Sequence, residues 1–119
     1  MKTHYNTMKV IICGGRNINE YDIDKVVNNS GFKITTLICG MAKGVDSLGY
    51  MWAMKNNIHI IKYYPDWNKY GAGAGPIRNK EMVNNADGVI AIWDEISRGT
   101  KSTITLAKKK GIPVYIERI

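Results

Sequence analysis

The sequence predicts an α/β fold, a three-layer sandwich around a five-stranded, mostly parallel sheet, and three observations carry this. Five short apolar runs recur at regular intervals along 119 residues. Stretches long enough for two or three helical turns separate them. The runs are apolar throughout rather than at alternate positions, as expected of strands covered on both faces. Strands alternating with helices of this length form parallel pairs joined by right-handed crossovers.

The first run, residues 9–13 (KVIIC), is a strand, and a helix is predicted over 21–29. Residues 34–39 (ITTLIC), dense in β-branched side chains, form the second strand. A helix over 45–56 follows, with Val45, Leu48, Met51 and Trp52 spaced to make one face, so that Trp52 and the methionines are assigned to the core. Residues 58–63 (IHIIKY) form the third strand, and 64–76 (YPDWNKYGAGAGP) read as one long irregular segment, a length more often functional than idle. A helix over 77–85, a strand over 88–93 (GVIAIW), a helix over 101–110 and a strand over 113–117 (PVYIE) complete the chain. Lys108, Lys109 and Lys110 precede Gly111, where cations complement the end of a helix.

The length suits one domain, taken as residues 1–119 with 1–7 as a short N-terminal extension. Hydrophobic content of 45% with 23% charged residues argues against disorder, and no stretch approaches the roughly 20 apolar residues of a membrane span. A net charge of +7 invites an anionic partner. It is spread evenly, with seven bases and four acids in residues 1–60 and ten and six in 61–119. Cys13 and Cys39 each close an apolar run and read as buried free thiols. His4 and His59 stand alone, so no metal and no cofactor is expected. The polar start MKTHYNT lacks an apolar signal core, so a cytoplasmic chain is expected.

In an open parallel sheet, ligands bind beyond the carboxyl ends of the strands, and here those positions are rich in glycine. Gly14-Gly15-Arg16 follow the first strand, Gly40 to Asp46 (GMAKGVD) the second, and Asp94 to Thr100 (DEISRGT) the fourth. Glycine lets backbone approach a ligand, and the helix N-terminus that follows offers free N–H groups to a phosphate. The pattern is neither GxGxxG nor GxxxxGK[ST]. Arg16 follows the first glycine pair. Arg78 comes just after Gly75 and Pro76 near a helix N-terminus, where a cation is unfavourable unless an anion, Asp66 or Asp94 is at hand. Asn79 can bond a base edge, a ribose or backbone, and Lys43 can reach a ligand or stay solvated. Asp46 either caps the second helix or contacts ligand directly. Ser97, Gly99 and Thr100 can cap the last helix, contact a phosphate, or both. Tyr64, Trp67 and Tyr70 either anchor the long segment or offer a ring to a nucleobase.

Five motifs in register, CGGR (13–16), CGMAKGVDSLGYMWA (39–53), YPDWNKYGAGAGPIRNKEM (64–82), ADGVIAIWD (86–94) and SRGT (97–100), resemble the SLOG superfamily. That superfamily joins the DNA-processing protein DprA/Smf with the LOG phosphoribohydrolases, and the similarity is greatest to the small stand-alone YspA-type (YpsA-related) branch. It covers roughly residues 8–118 and implies a Rossmann-like fold with a site for a nucleotide or nucleotide-derived signal, ADP-ribose-like or cyclic. The ligand-binding set is then Gly14, Gly15, Arg16, Gly40, Ala42, Lys43, Gly44, Asp46, Asp66, Gly75, Arg78, Asn79, Ser97, Gly99 and Thr100. LOG enzymes cleave an N-glycosidic bond of a nucleoside monophosphate with an arginine and a glutamate. Arg78 and Met82 match the arginine helix, but the glutamate falls on Thr103, and a threonine hydroxyl cannot replace a carboxylate there. If the chain is an enzyme, Arg78 and Asp94 are the residues for it, with Glu95 or Glu81 as other carboxylates. DprA-like members bind single-stranded DNA and share GxAxGxD and the Arg78-Asn79 pair. A binder of a small nucleotide-derived ligand, acting as sensor or sequestering protein, ranks above the hydrolase and the nucleic-acid binder. No membrane is expected as a partner, and exposed methionines such as Met51 or Met54 would permit a homodimer or higher homo-oligomer.

Overall fold

The computed structural model describes residues 8–119, so the expected N-terminal extension, with His4, lies outside the described residues. Five strands form one sheet: β1 (Met8–Gly14), β2 (Ile34–Cys39), β3 (His59–Lys62), β4 (Gly88–Trp93) and β5 (Val114–Arg118). Their order is β3-β2-β1-β4-β5 and every pairing is parallel, so the sheet is wholly rather than mostly parallel. The chain steps outward from β1 to β3, then returns to the other side of β1 for β4. The order therefore reverses between β1 and β4, and a crevice opens at the carboxyl ends of such a pair.

The strands divide their side chains between two cores. Val10 and Ile12 of β1, Leu37 and Cys39 of β2, and Ile90 and Ile92 of β4 face α1 (Ile23–Ser30) and α2 (Val45–Lys55). Ile11, Cys13, Ile38, Val89 and Ala91 point the other way, with Met82, Val83, Ile104 and Ala107 of two further helices. This strict alternation within unbroken apolar runs is why the central strands show no period-2 pattern in sequence.

Residues 64–76 are more ordered than their composition predicts. The short helix α3 (Trp67–Tyr70) begins at Asp66, whose carboxylate accepts the Lys69 N–H at 3.1 Å, and a 3₁₀ turn (Gly71–Gly73) leads into α4 (Ala74–Asn84). Helix α4 thus starts three residues before the expected boundary, because Pro76 falls in a first turn where no N–H partner is needed. Helix α5 (Arg98–Lys110) likewise starts early, with Ser97 as its cap. Lys110 complements a neighbouring helix: its ammonium donates to the carbonyls of Val83, Asn84 and Ala86 at the end of α4.

On α2 the expected apolar face is only partly realised. Val45 is fully buried and Leu48 and Trp52 pack on the core, but Met51 is 64% and Met54 59% exposed. Helix α2 instead lies on the sheet through Gly49, where a Cβ would stand 3.2 Å from Ile12. Close approach at a small residue seats α2 on Val45, Leu48, Gly49 and Trp52 and leaves Met51 outside that contact. The Trp52 indole donates to Asp24 at 2.7 Å, tying α2 to α1.

Candidate functional site

The loops that leave β1, β2 and β4 meet at the reversal point around a cleft of about 310 Å³, near the lower end of the range for small-ligand sites. Gly14 and Arg16 enter from β1, Gly40, Ala42 and Asp46 from β2 and α2, Arg78 and Asn79 from α4, and Ser97, Gly99 and Thr100 from the start of α5. Two adjoining spaces share Arg16 and Arg78 with it. One, of about 220 Å³, reaches Lys43, Pro65 and Trp67. The other, of about 410 Å³, runs past Trp67, Gly75 and Pro76 to Arg98.

Local structure explains how each group is held. At the end of β1, Gly15 is buried and its carbonyl accepts the Val45 N–H at 3.2 Å, which docks the start of α2 beneath the first loop. Gly44 precedes α2 with φ of 77°, and neither Gly15 nor Gly44 lines the cleft. Asp46 does not cap α2: its Oδ2 accepts the Ala42 N–H at 3.1 Å and closes the loop before the helix. Arg78 donates through Nη1 to the Gly40 carbonyl and through Nε to Asn79 Oδ1 at 2.9 Å. Two of its five N–H donors are used, and the other three have no protein partner among the described residues. Ser97 accepts the Thr100 N–H and shares a 2.8 Å hydroxyl contact with Thr100 Oγ1, so both hydroxyls serve the helix start. Gly99 is open, since a Cβ there would meet nothing within 4 Å.

Two expected residues sit elsewhere. Asp66 caps α3 and lines a neighbouring recess with Tyr64, Lys69 and Tyr70, which Arg78 also borders. Asp94 is held by its own loop, with Oδ1 accepting the N–H groups of Ile96 at 2.8 Å and Ser97 at 2.9 Å. Neither pairs with Arg78, whose nearest carboxylate influence is Asp46. Of the other carboxylates considered, Glu95 pairs with Arg118 at 3.0 Å and Glu81 lies in the Asp66 recess. The aromatics do not anchor inward: Tyr64 is 65%, Trp67 53% and Tyr70 42% exposed.

Cys13, Met82, Arg98 and Thr103 also line the cleft and were not among the expected residues. Arg98 stood inside the SRGT motif, and Met82 is one helical turn from Arg78. Thr103, the position matching the LOG glutamate, is buried, and its hydroxyl donates to the Gly99 carbonyl at 3.1 Å. Among the described residues no group of three or more His, Cys, Asp and Glu could hold a metal, and no helix is long and apolar enough to cross a membrane.

Burial dominates the electrostatics. Cys13 and Cys39 are buried free thiols, and desolvation lifts Cys13 far above, and Cys39 to about 11 from, the usual range, so neither is a nucleophilic thiolate at neutral pH. Burial likewise pushes Asp46 up to about 6, opposed by the Ala42 N–H, Arg78 and Arg16. The guanidinium of Arg78 is lowered mainly by burial, though an arginine stays charged. Asp94 is lowered by its backbone hydrogen bonds.

The raised Asp46 carboxyl has a consequence for stability. The folded state holds its proton more tightly than the unfolded chain, so the contribution is full below about pH 4 and is lost as pH rises through about 6. Roughly two pK units correspond to about 3 kcal/mol. Urea melts of the protein and of Asp46→Asn are expected to diverge by up to that amount between pH 4 and pH 7, the wild type being relatively more stable in acid. A pH-independent difference would show that Asp46 titrates normally.

Comparison with known proteins agrees with this architecture. Residues 8–70 match the model of the YspA, cpYpsA-related SLOG family. The "Gene 61 protein" of Mycobacterium phage D29 is 34% identical over 84 residues, covering 66% of this chain and 67% of that protein. The X-ray structure of DNA processing protein A (DprA) from Streptococcus pneumoniae superposes with a TM-score of 0.72 at 23% identity, over 94% of this chain and 50% of that one. This chain thus spans half the length of that solved protein, and the likeness is one of fold. With an all-parallel Rossmann-like sheet and more than half its length matched, the chain belongs to the YspA, cpYpsA-related SLOG family.

Proposed function

We propose that this chain binds a small nucleotide or nucleotide-derived ligand, ADP-ribose-like or cyclic, in the cleft between β1 and β4, as a sensor or sequestering protein. The observation that carries the reading is the meeting of Arg16, Arg78 and the first turn of α5 around one cleft. Two guanidiniums and a helix N-terminus on facing loops suit a phosphate or diphosphate. Family membership and a DprA-like fold support a binding role related to nucleotides or nucleic acid. The reading takes residues 1–119 as one SLOG-like domain. Binding ranks above hydrolysis because Thr103 stands where LOG enzymes place their glutamate and spends its hydroxyl on Gly99. The test is a thermal-shift screen against nucleotides, with chromatography of each mixture and mass spectrometry of what co-purifies. A melting shift with no free base released is expected. Prompt base release would favour the hydrolase, and no shift with any nucleotide would remove the reading.

A second reading, single-stranded nucleic-acid binding, is favoured by the exposure of Tyr64, Trp67 and Tyr70 along a segment that also carries Lys69. Exposed rings and interleaved cations form a stacking surface. Micromolar or tighter binding of a labelled oligonucleotide with a steep salt slope would favour it.

A further inference from the structure

Asp46 is only 8% exposed and yet lines the main cleft and the small recess of about 110 Å³ beside it. Its Oδ2 is satisfied by the Ala42 N–H at 3.1 Å. Oδ1 has no hydrogen-bond donor among the described residues. No side-chain oxygen or nitrogen there is both wholly buried and without a partner, so Oδ1 opens onto the space that the residue lines. Arg78 lies across Gly40: a Cβ on that glycine would stand 2.9 Å from Asp46 Oδ2 and 3.1 Å from Arg78 Nη1. Yet Arg78 gives its N–H groups to Gly40 and Asn79, and the ion pair found among the described residues joins Arg118 to Glu95. The carboxylate is therefore largely buried, with Oδ2 held by Ala42 and Oδ1 reachable by water or by a donor on a bound ligand.

The chemistry of a ligand group that replaces water at Oδ1 is restricted. An anion is repelled at Oδ1, whereas an O–H is accepted through a charge-assisted bond. The rest of the cleft lining has the reverse preference, because Arg16, Arg78 and the first turn of α5 offer donors and positive charge. A ligand that satisfies both sides is anionic at one end and carries hydroxyl donors a few ångströms away, as a sugar phosphate does. We infer that Asp46 accepts a hydroxyl of the ligand's sugar ring, so that the cleft selects ribonucleotides over nucleotides lacking the ribose diol. The inference rests on the nucleotide-binding reading and narrows it to ligands with a free ribose hydroxyl.

Titration calorimetry with adenosine 5′-monophosphate and its 2′,3′-dideoxy counterpart, on the wild type and on Asp46→Asn, tests it. The asparagine keeps the shape and the bond to Ala42 while removing the charge. The wild type is expected to prefer the ribonucleotide by roughly 10- to 100-fold, the usual worth of a hydrogen bond to a charged group. In Asp46→Asn the preference is expected to shrink to about twofold, the scatter of independent effects. Equal binding of the two nucleotides by the wild type, or an undiminished preference in a folded Asp46→Asn, overturns the inference and leaves the nucleotide reading standing. Failure of both nucleotides to bind the wild type overturns the inference, while the nucleotide-binding reading itself stands or falls with the thermal-shift screen. If the variant does not fold, the wild-type comparison decides alone.

Discussion

Arg78→Ala is expected to abolish nucleotide binding while leaving the domain folded. Arg78 reaches into the cleft from α4, and three of its N–H donors have no protein partner among the described residues. A guanidinium that meets a phosphate in a partly desolvated site contributes on the order of 2–4 kcal/mol, so affinity should fall by about 30- to 1,000-fold. The cost to folding is smaller. The buried Gly40 carbonyl loses a charged donor, worth about 1–3 kcal/mol, against a typical total of about 5–15 kcal/mol for a domain. Calorimetric titration with adenosine 5′-monophosphate, beside a circular-dichroism melt, separates the two effects. Arg78→Lys should recover part of the charge but not the forked geometry, and so bind with intermediate affinity. Wild-type affinity in a folded Arg78→Ala would take Arg78 out of the site.

The second large effect is structural. Gly44→Ala should destabilise the domain by about 2–6 kcal/mol, since two costs of about 1–3 kcal/mol combine: a backbone held where φ is 77°, and overpacking. The new Cβ would collide with the Gly15 carbonyl oxygen and stand 2.6 Å from the Arg16 carbonyl carbon and 2.7 Å from its Cα. Those atoms are backbone and cannot swing aside, so the first loop must lift off the start of α2, where the Val45 N–H reaches Gly15. Denaturant midpoints measure the loss directly. Gly99→Ala is the control: its Cβ would meet open space, so stability should hardly change while a ligand approaching the α5 N-terminus would feel the methyl group. Equal stability of the two variants would show that the first loop and α2 do not depend on this contact.

These two outcomes mark where the reading of the sequence was strong and where it stopped. The alternation of apolar runs and helices was legible because each strand of the sheet interior must be apolar on both faces, as Val10 and Ile12 against Ile11 and Cys13 demonstrate. The loops bearing Arg16, Gly40 and Ser97 were placed at the carboxyl edge by the same periodicity, and the structure brings them around one cleft. The order inside 64–76 was missed because a glycine-rich composition outweighed a short-range signal, Asp66 capping its own helix. Asp94 is charged and follows a strand, but its Oδ1 is held by Ile96 and Ser97 and the residue does not line the cleft.

By itself the sequence determined the layers, the parallel sheet and the edge where chemistry can occur, since these follow from local periodicity and from glycine, proline and capping residues near one another in the chain. Only the tertiary structure decided which side chains share the cleft and in what state. The reversal of strand order between β1 and β4 brings residues 14–16, 40–46, 78–79 and 97–103 together across wide sequence separations. Burial at that meeting point ties Asp46 to Ala42 and Arg78 to Gly40, while the seating of α2 on the sheet leaves Met51 and Met54 exposed. Desolvation and close packing depend on what surrounds a residue in space, and a linear pattern carries only what lies beside it in the chain.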